Sequence, residues 1–113
     1  MKIYGIPNCS SVKKALDFVK AAGVEYEFID FKKQKPTEAQ VIKWAQAVSM
    51  DRLFNTKGTK YKSTGLDYKA LSETERVCWL AKEPTMIKRP VIEYKNKTIV
   101  GFDEEIYKKE LVK

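Results

Sequence analysis

The chain has 113 residues, 43% hydrophobic and 33% charged, which suits one domain of ordinary size with its own core. Histidine is absent and cysteine occurs only at Cys9 and Cys78. That excludes imidazole acid–base chemistry, Ser-His-Asp and Cys-His arrangements, His-ligated zinc and a four-thiolate site, so no metal is expected.

The charge narrows the partners. Lys and Arg number 22 against 15 Asp and Glu, a net +7, yet only Arg52, Arg76 and Arg89 are arginines. Lysines spread along the whole chain fit solvation and attraction of anionic substrates better than base reading, so no nucleic-acid partner is expected. None of the five glycines has dinucleotide-fingerprint or phosphate-loop spacing. No apolar stretch of signal-peptide or membrane-spanning length occurs, and two distant cysteines suit a reducing compartment. A cytoplasmic protein with no membrane partner is expected.

In chain order, residues 2–6 read as a strand ended by Pro7-Asn8. From Ser10 the apolar residues Val12, Ala15, Leu16, Val19 and Ala22 recur at helical spacing, and Gly23 stops that helix. Val24, Tyr26 and Phe28 alternate with Glu25 and Glu27, then Ile29 and Phe31 follow, which predicts a strand. A right-handed crossover makes the two strands parallel. Thr37 and Gln40 form a capping box for a helix carrying Val41, Ile42, Ala45 and Val48 on one face. The polar stretch 55–64 reads as loop. A second capping box, Ser72 with Glu75, starts a helix with Val77, Cys78, Leu80 and Ala81 on its inner face. Residues 91–94 and 98–100 are short strands joined through Lys95-Asn96-Lys97, and Asn96 tolerates the left-handed turn. Asp103 caps a last helix with Ile106, Tyr107 and Leu111. The order β-α-β, helices, β-β-α predicts an α/β chain on the thioredoxin-like plan: a single domain, 1–113, with a mixed sheet flanked by helices and a helical insertion at about 37–82.

Cys9 lies between a strand end and the first turn of a helix. Unpaired N–H groups and the positive end of the helix dipole favour a thiolate over a thiol there. Ser10 and Ser11 add hydroxyl donors, and Lys13 and Lys14 add positive charge. Cys9 is therefore the candidate nucleophile. Position i+3 from Cys9 is Val12, so no Cys-x-x-Cys disulfide can form, and an adduct at Cys9 needs an outside thiol or Cys78 to resolve it. Cys78, beside Val77 and Trp79, reads as a buried structural thiol. Arg89-Pro90 opens a strand, where a proline removes no ladder donor.

Tyr4-Gly5-Ile6-Pro7-Asn8-Cys9, Val12-Lys13-Lys14-Ala15, Lys88-Arg89-Pro90-Val91-Ile92 and Val100-Gly101-Phe102 together resemble the arsenate-reductase-like family, which also holds the Spx-type regulators. With Asn55-Thr56-Lys57-Gly58-Thr59 in the middle, the chain is most similar to the small branch of glutathione-dependent thiol reductases in that family. The resemblance implies a thioredoxin-like fold with Cys9 as catalytic nucleophile and Arg89 beside its sulfur. It also implies a cis Pro90 and substrate contacts from Asn8, Ser10, Ser11, Lys13 and Lys57. It further implies a small anionic or disulfide substrate, no bound cofactor, and glutathione or a similar thiol, or a glutaredoxin-type reductant, as electron source. A monomer is expected. Arsenate reductases of this type gather three arginines, whereas this chain has none after Arg89 and carries Lys57 in the middle motif. Spx-type regulators carry a cysteine pair where this chain has Cys9 and Val12, and run on past the point where it ends. Spx-like binding of RNA polymerase without turnover is the alternative expectation.

Overall fold

The computed structural model describes residues 1–111. These divide into two compact units: Met1–Lys33 together with the described residues from Arg89 on, and Gln34–Lys88. The helical insertion expected at about 37–82 falls in the second.

The first unit is built on a four-stranded sheet of β1 (Lys2–Gly5), β2 (Glu27–Asp30), β3 (Val91–Tyr94) and β4 (Lys97–Val100), in the order β2-β1-β3-β4. β1 runs parallel to β2 and antiparallel to β3, and β4 is antiparallel to β3. Lys95 and Asn96 both take positive φ, as a two-residue hairpin turn requires. Helix α1 (Ser10–Ala21) follows β1, and α6 (Glu104–Glu110) follows β4. Ile3, Ala15, Val19, Ile92, Ile99, Tyr107 and Leu111 form one buried cluster that joins both helices to the sheet. This is the mixed sheet of a thioredoxin-like fold.

β2 begins later than the alternation at Val24 suggests. Lys2 pairs with Glu27, and the Glu27 N–H donates to the Met1 carbonyl, so residues 24–26 have no β1 neighbour to form a ladder with. Val24, Tyr26 and Phe28 instead pack half-buried at the edge of the core.

The second unit holds α2 (Glu38–Val48), α3 (Met50–Leu53), α4 (Thr59–Thr64), α5 (Glu73–Lys82) and two short 3₁₀ turns. Both capping boxes form, Thr37 with Gln40 and Ser72 with Glu75. Three expectations fail here. On α2 the buried residues are Val41 and Trp44, three apart, which turns Ile42 outward to 44% exposure. The stretch 55–64 is not all loop: the Asn55 side chain accepts the Lys57 N–H, Gly58 caps α4, and Gly65 ends it with φ 72°. Tyr61 secures that short helix edge-on to Phe54, ring centroids 5.8 Å apart. Finally, Cys78 is exposed, not buried. The buried stripe of α5 runs through Val77 and Leu80, and a step of one residue from Val77 rotates Cys78 about 100° off that stripe. Nearby, Arg76 lies 3.9 Å over the Tyr68 ring, and burial plus a hydrogen bond to Asp51 push the Tyr68 phenol up to about 12.

Candidate functional site

The strand directions gather the site. The C-terminal ends of β1, β2 and β4 and the N-terminal end of β3 share one end of the sheet. There β1 runs into a tight turn in which the Cys9 N–H donates to the Ile6 carbonyl at 3.3 Å across Pro7-Asn8. Cys9 is then the N-cap of α1, with extended φ and ψ of −90° and 129°, and its carbonyl accepts the Lys13 N–H at 3.0 Å. Gly5 lets the helix come close, because a Cβ there would stand 2.7 Å from Val12 Cγ2. A side chain at position 5 would push the first turn of α1, and Cys9 with it, off the sheet.

The N-terminus of α1 differs from those of α2, α5 and α6. Thr37, Ser72 and Asp103 each cap their helix with a side-chain oxygen, and each of those helices has an acid in its first turn. At α1 no side chain caps the backbone donors and no acid lies in the first turn. The donors and the dipole are left to the half-buried Cys9 thiol and to whatever binds beside it.

Across β1, the Arg89-Pro90 bond is cis and leads straight into Val91, which pairs with Tyr4. Pro90 is buried and Arg89 half-buried. The Pro90 carbonyl accepts the Gly101 N–H at 2.8 Å, and Gly101, at φ 83°, passes its own carbonyl to the Tyr107 hydroxyl at 2.6 Å. Burial, with the Asp103 charge adding to it, pushes the Tyr107 phenol well above its ordinary value, so it stays a donor. Pro90 is thus braced from the core. Among the described residues, nothing forms a hydrogen bond or ion pair with the Arg89 guanidinium.

Of the residues singled out in the sequence, Asn8, Cys9, Ser10, Ser11, Lys13, Arg89 and Pro90 all belong to this end of the first unit; Asn8, Ser10 and Lys13 are exposed and Ser11 half-buried. Lys57 lies in the second unit, exposed in the turn before α4. Sequence reasoning missed Lys32 and Lys33, which follow the parallel strand β2 and so reach the same sheet end as Cys9. Their signal was present: a parallel strand pair brings both C-terminal ends together.

A thioredoxin-like sheet whose first helix opens on a free cysteine, with a cis proline at the same sheet end, places the chain in the thioredoxin-like class. Within that class it belongs to the ArsC family, whose model matches residues 4–110. It is 31% identical over 106 residues to an uncharacterised protein of Haemophilus influenzae, covering 93% of each chain. Its fold is similar to that of the solved YFFB protein, with a TM-score of 0.90 at 30% identity over 98% of each chain. More distant relatives include an arsenate reductase of Rhizobium meliloti, 25% identical over 80% of this chain and 66% of that one. The Spx 2 global transcriptional regulator of Lactococcus lactis is 24% identical over 91% of this chain and 80% of its own.

Proposed function

We propose that the protein is a monothiol oxidoreductase in which the Cys9 thiolate attacks a small disulfide, or the arsenic of arsenate, where one As–O bond breaks and the oxygen leaves as water while the S–As bond forms. The observation that carries this reading is the N-terminus of α1, which like that of the six-residue α4 has neither a side-chain cap nor an acid in its first turn, but which holds a cysteine, Cys9, in the capping position where α4 has Gly58. On a disulfide R–S–S–R′, a bond forms between Cys9 Sγ and one substrate sulfur while the substrate S–S bond breaks, and R′–S⁻ leaves. Cys9 is oxidised to a mixed disulfide and R′–S⁻ is the reduced product. A second thiolate, from glutathione or a similar small thiol, attacks the mixed disulfide and releases Cys9 as thiolate. The electrons come from the external thiols, so the protein is unchanged after one cycle.

Arg89 serves this scheme with a permanent positive charge and a planar fork that fits an oxyanion or carboxylate. The Cys9 turn offers Ser10 and Ser11 as hydroxyl donors, and Asn8 and Lys13 stand at its rim. The regulator reading has less support. A cysteine pair would need its second thiol at position 12, and Val12 is fully buried against Gly5.

The test is intact mass after exposure to oxidised glutathione or arsenate, using Cys78→Ser to silence the exposed thiol. One adduct at Cys9, released by reduced glutathione and missing in Cys9→Ser, is expected. Protein that takes up no adduct from either reagent contradicts the proposal.

A further inference from the structure

At the Cys9 end of the sheet, the turn after β2 is held by backbone hydrogen bonds and a buried ring. The Phe31 N–H donates to the Gly5 carbonyl at 2.8 Å, and its ring is buried and stacked on Tyr4 at 6.0 Å between centroids. The Lys32 N–H donates to Asp30 Oδ1 at 2.9 Å and the Lys33 N–H to the Asp30 carbonyl at 3.0 Å. Three consecutive backbone donors therefore fix where Lys32 and Lys33 leave the chain. Both are exposed. Among the described residues neither has an ion-pair partner, whereas Lys60, Arg76, Lys97 and Lys108 pair with Glu83, Glu73, Glu110 and Glu104. The one carboxylate in the turn, Asp30, is engaged by the Lys32 N–H.

β2 neighbours β1 directly, and Gly5 is opposite Asp30. The Gly5–Asp30 pairing thus brings Lys32 and Lys33, two and three residues further on, to the same end of the sheet as Cys9. Exposed cations without an ion-pair partner act on the charge of an incoming molecule, most strongly at low ionic strength. We propose that the 30–33 turn is the selectivity element of the Cys9 site. Lys32 and Lys33 favour substrates with a negative charge next to the sulfur or electrophile that Cys9 attacks. This rests on Cys9 being the nucleophile, and it adds two residues on the β2 side, opposite Arg89 on the β3 side.

Iodoacetate and iodoacetamide are an anionic and a neutral probe with the same leaving group. In the Cys78→Ser protein at low ionic strength, the ratio of their alkylation rates at Cys9 isolates the field felt by the incoming reagent. Lys32→Gln/Lys33→Gln is expected to lower that ratio two- to fivefold, and Lys32→Glu/Lys33→Glu to lower it further. Added salt should erase the difference. A ratio unchanged in both double variants, including the case where both rates fall together, overturns the selectivity role while leaving Cys9 as nucleophile. Failure of Cys9 to react with either reagent in the parent protein overturns the nucleophile reading itself, and the inference with it.

Discussion

The N-termini of α1 and α5 are built from opposite instructions, and the two cysteines are placed differently on them: Cys9 caps α1, whereas Cys78 lies midway along α5. At α5, Ser72 accepts the Glu75 N–H, the Glu75 side chain accepts the Ser72 N–H, and Glu73 adds a second acid to the first turn. Everything there satisfies the helix. At α1 the capping position is given to Cys9, which makes no side-chain cap, and the first turn carries Ser10, Ser11 and Lys13. Leaving out a cap costs about 1 kcal/mol of helix stability. Cys78, by contrast, lies on the exposed flank of α5, away from any helix end. Under the proposed function, the chain holds back stabilisation at one helix end so that the Cys9 thiol can use it.

The largest expected effect comes from giving α1 the cap it lacks. Cys9→Ser should abolish thiol exchange and yet stabilise the protein by about 0.5–1 kcal/mol in chemical denaturation, because serine caps well. Cys78→Ser should leave exchange intact. Loss of stability in Cys9→Ser would mean that Cys9 is a packing residue.

Next comes Gly5→Ala, which places a methyl group 2.7 Å from Val12 Cγ2 in a buried site. A cost of about 1–3 kcal/mol in denaturant midpoint is expected, with slower Cys9 alkylation as the first turn shifts. Smaller again, Arg89→Ala should slow alkylation of Cys9 at neutral pH about three- to tenfold, and Arg89→Lys should restore the charge effect but not two-point oxyanion binding. An alkylation profile unchanged in Arg89→Ala would place Arg89 outside the site.

The order of elements was readable because each carries a local signal. The two capping boxes, the Asp103 cap and the helical spacing from Ser10 all appear in the structure. What escaped depends on partners distant in sequence. The start of β2 is set by where β1 begins, and the inward choice of Trp44 over Ile42 is set by what α2 meets. Helix α4 is hidden by its polar composition, since one tyrosine anchors it. Cys78 was misplaced because Val77 and Leu80 alone fix the inner stripe. At the site, Cys9 and Arg89-Pro90 were legible as local motifs, and the cis bond followed from the family resemblance. Lys32 and Lys33 carry no motif, and only the parallel pairing of β1 and β2 brings them to the same sheet end as Cys9.

The smallest effect is on the α5 side of the comparison. The Ser72 hydrogen bonds hold the Glu75 carboxyl below its ordinary value, and the Lys97 ammonium does the same for Glu110. Because these values are depressed in the folded state, their stabilisation is present above the unfolded carboxylate value and is lost as pH falls through the folded one. Melting temperature should therefore drop slightly on acidification below about pH 4.5. Glu75→Gln, which keeps the capping oxygen but cannot titrate, should flatten that part of the curve. An identical acid limb in Glu75→Gln would show that the capping box does not titrate with folding.

Competitive alkylation of the unmodified protein puts the two cysteines in direct contest. Exposure alone makes Cys78 the faster thiol, whereas the uncapped N-terminus of α1 makes it Cys9. With limiting iodoacetamide at pH 7 and peptide mapping by mass, Cys9 is expected to be modified at least about tenfold faster than Cys78. Equal rates, or a faster Cys78, would contradict the claim that α1 holds its N-terminus open for the Cys9 thiolate.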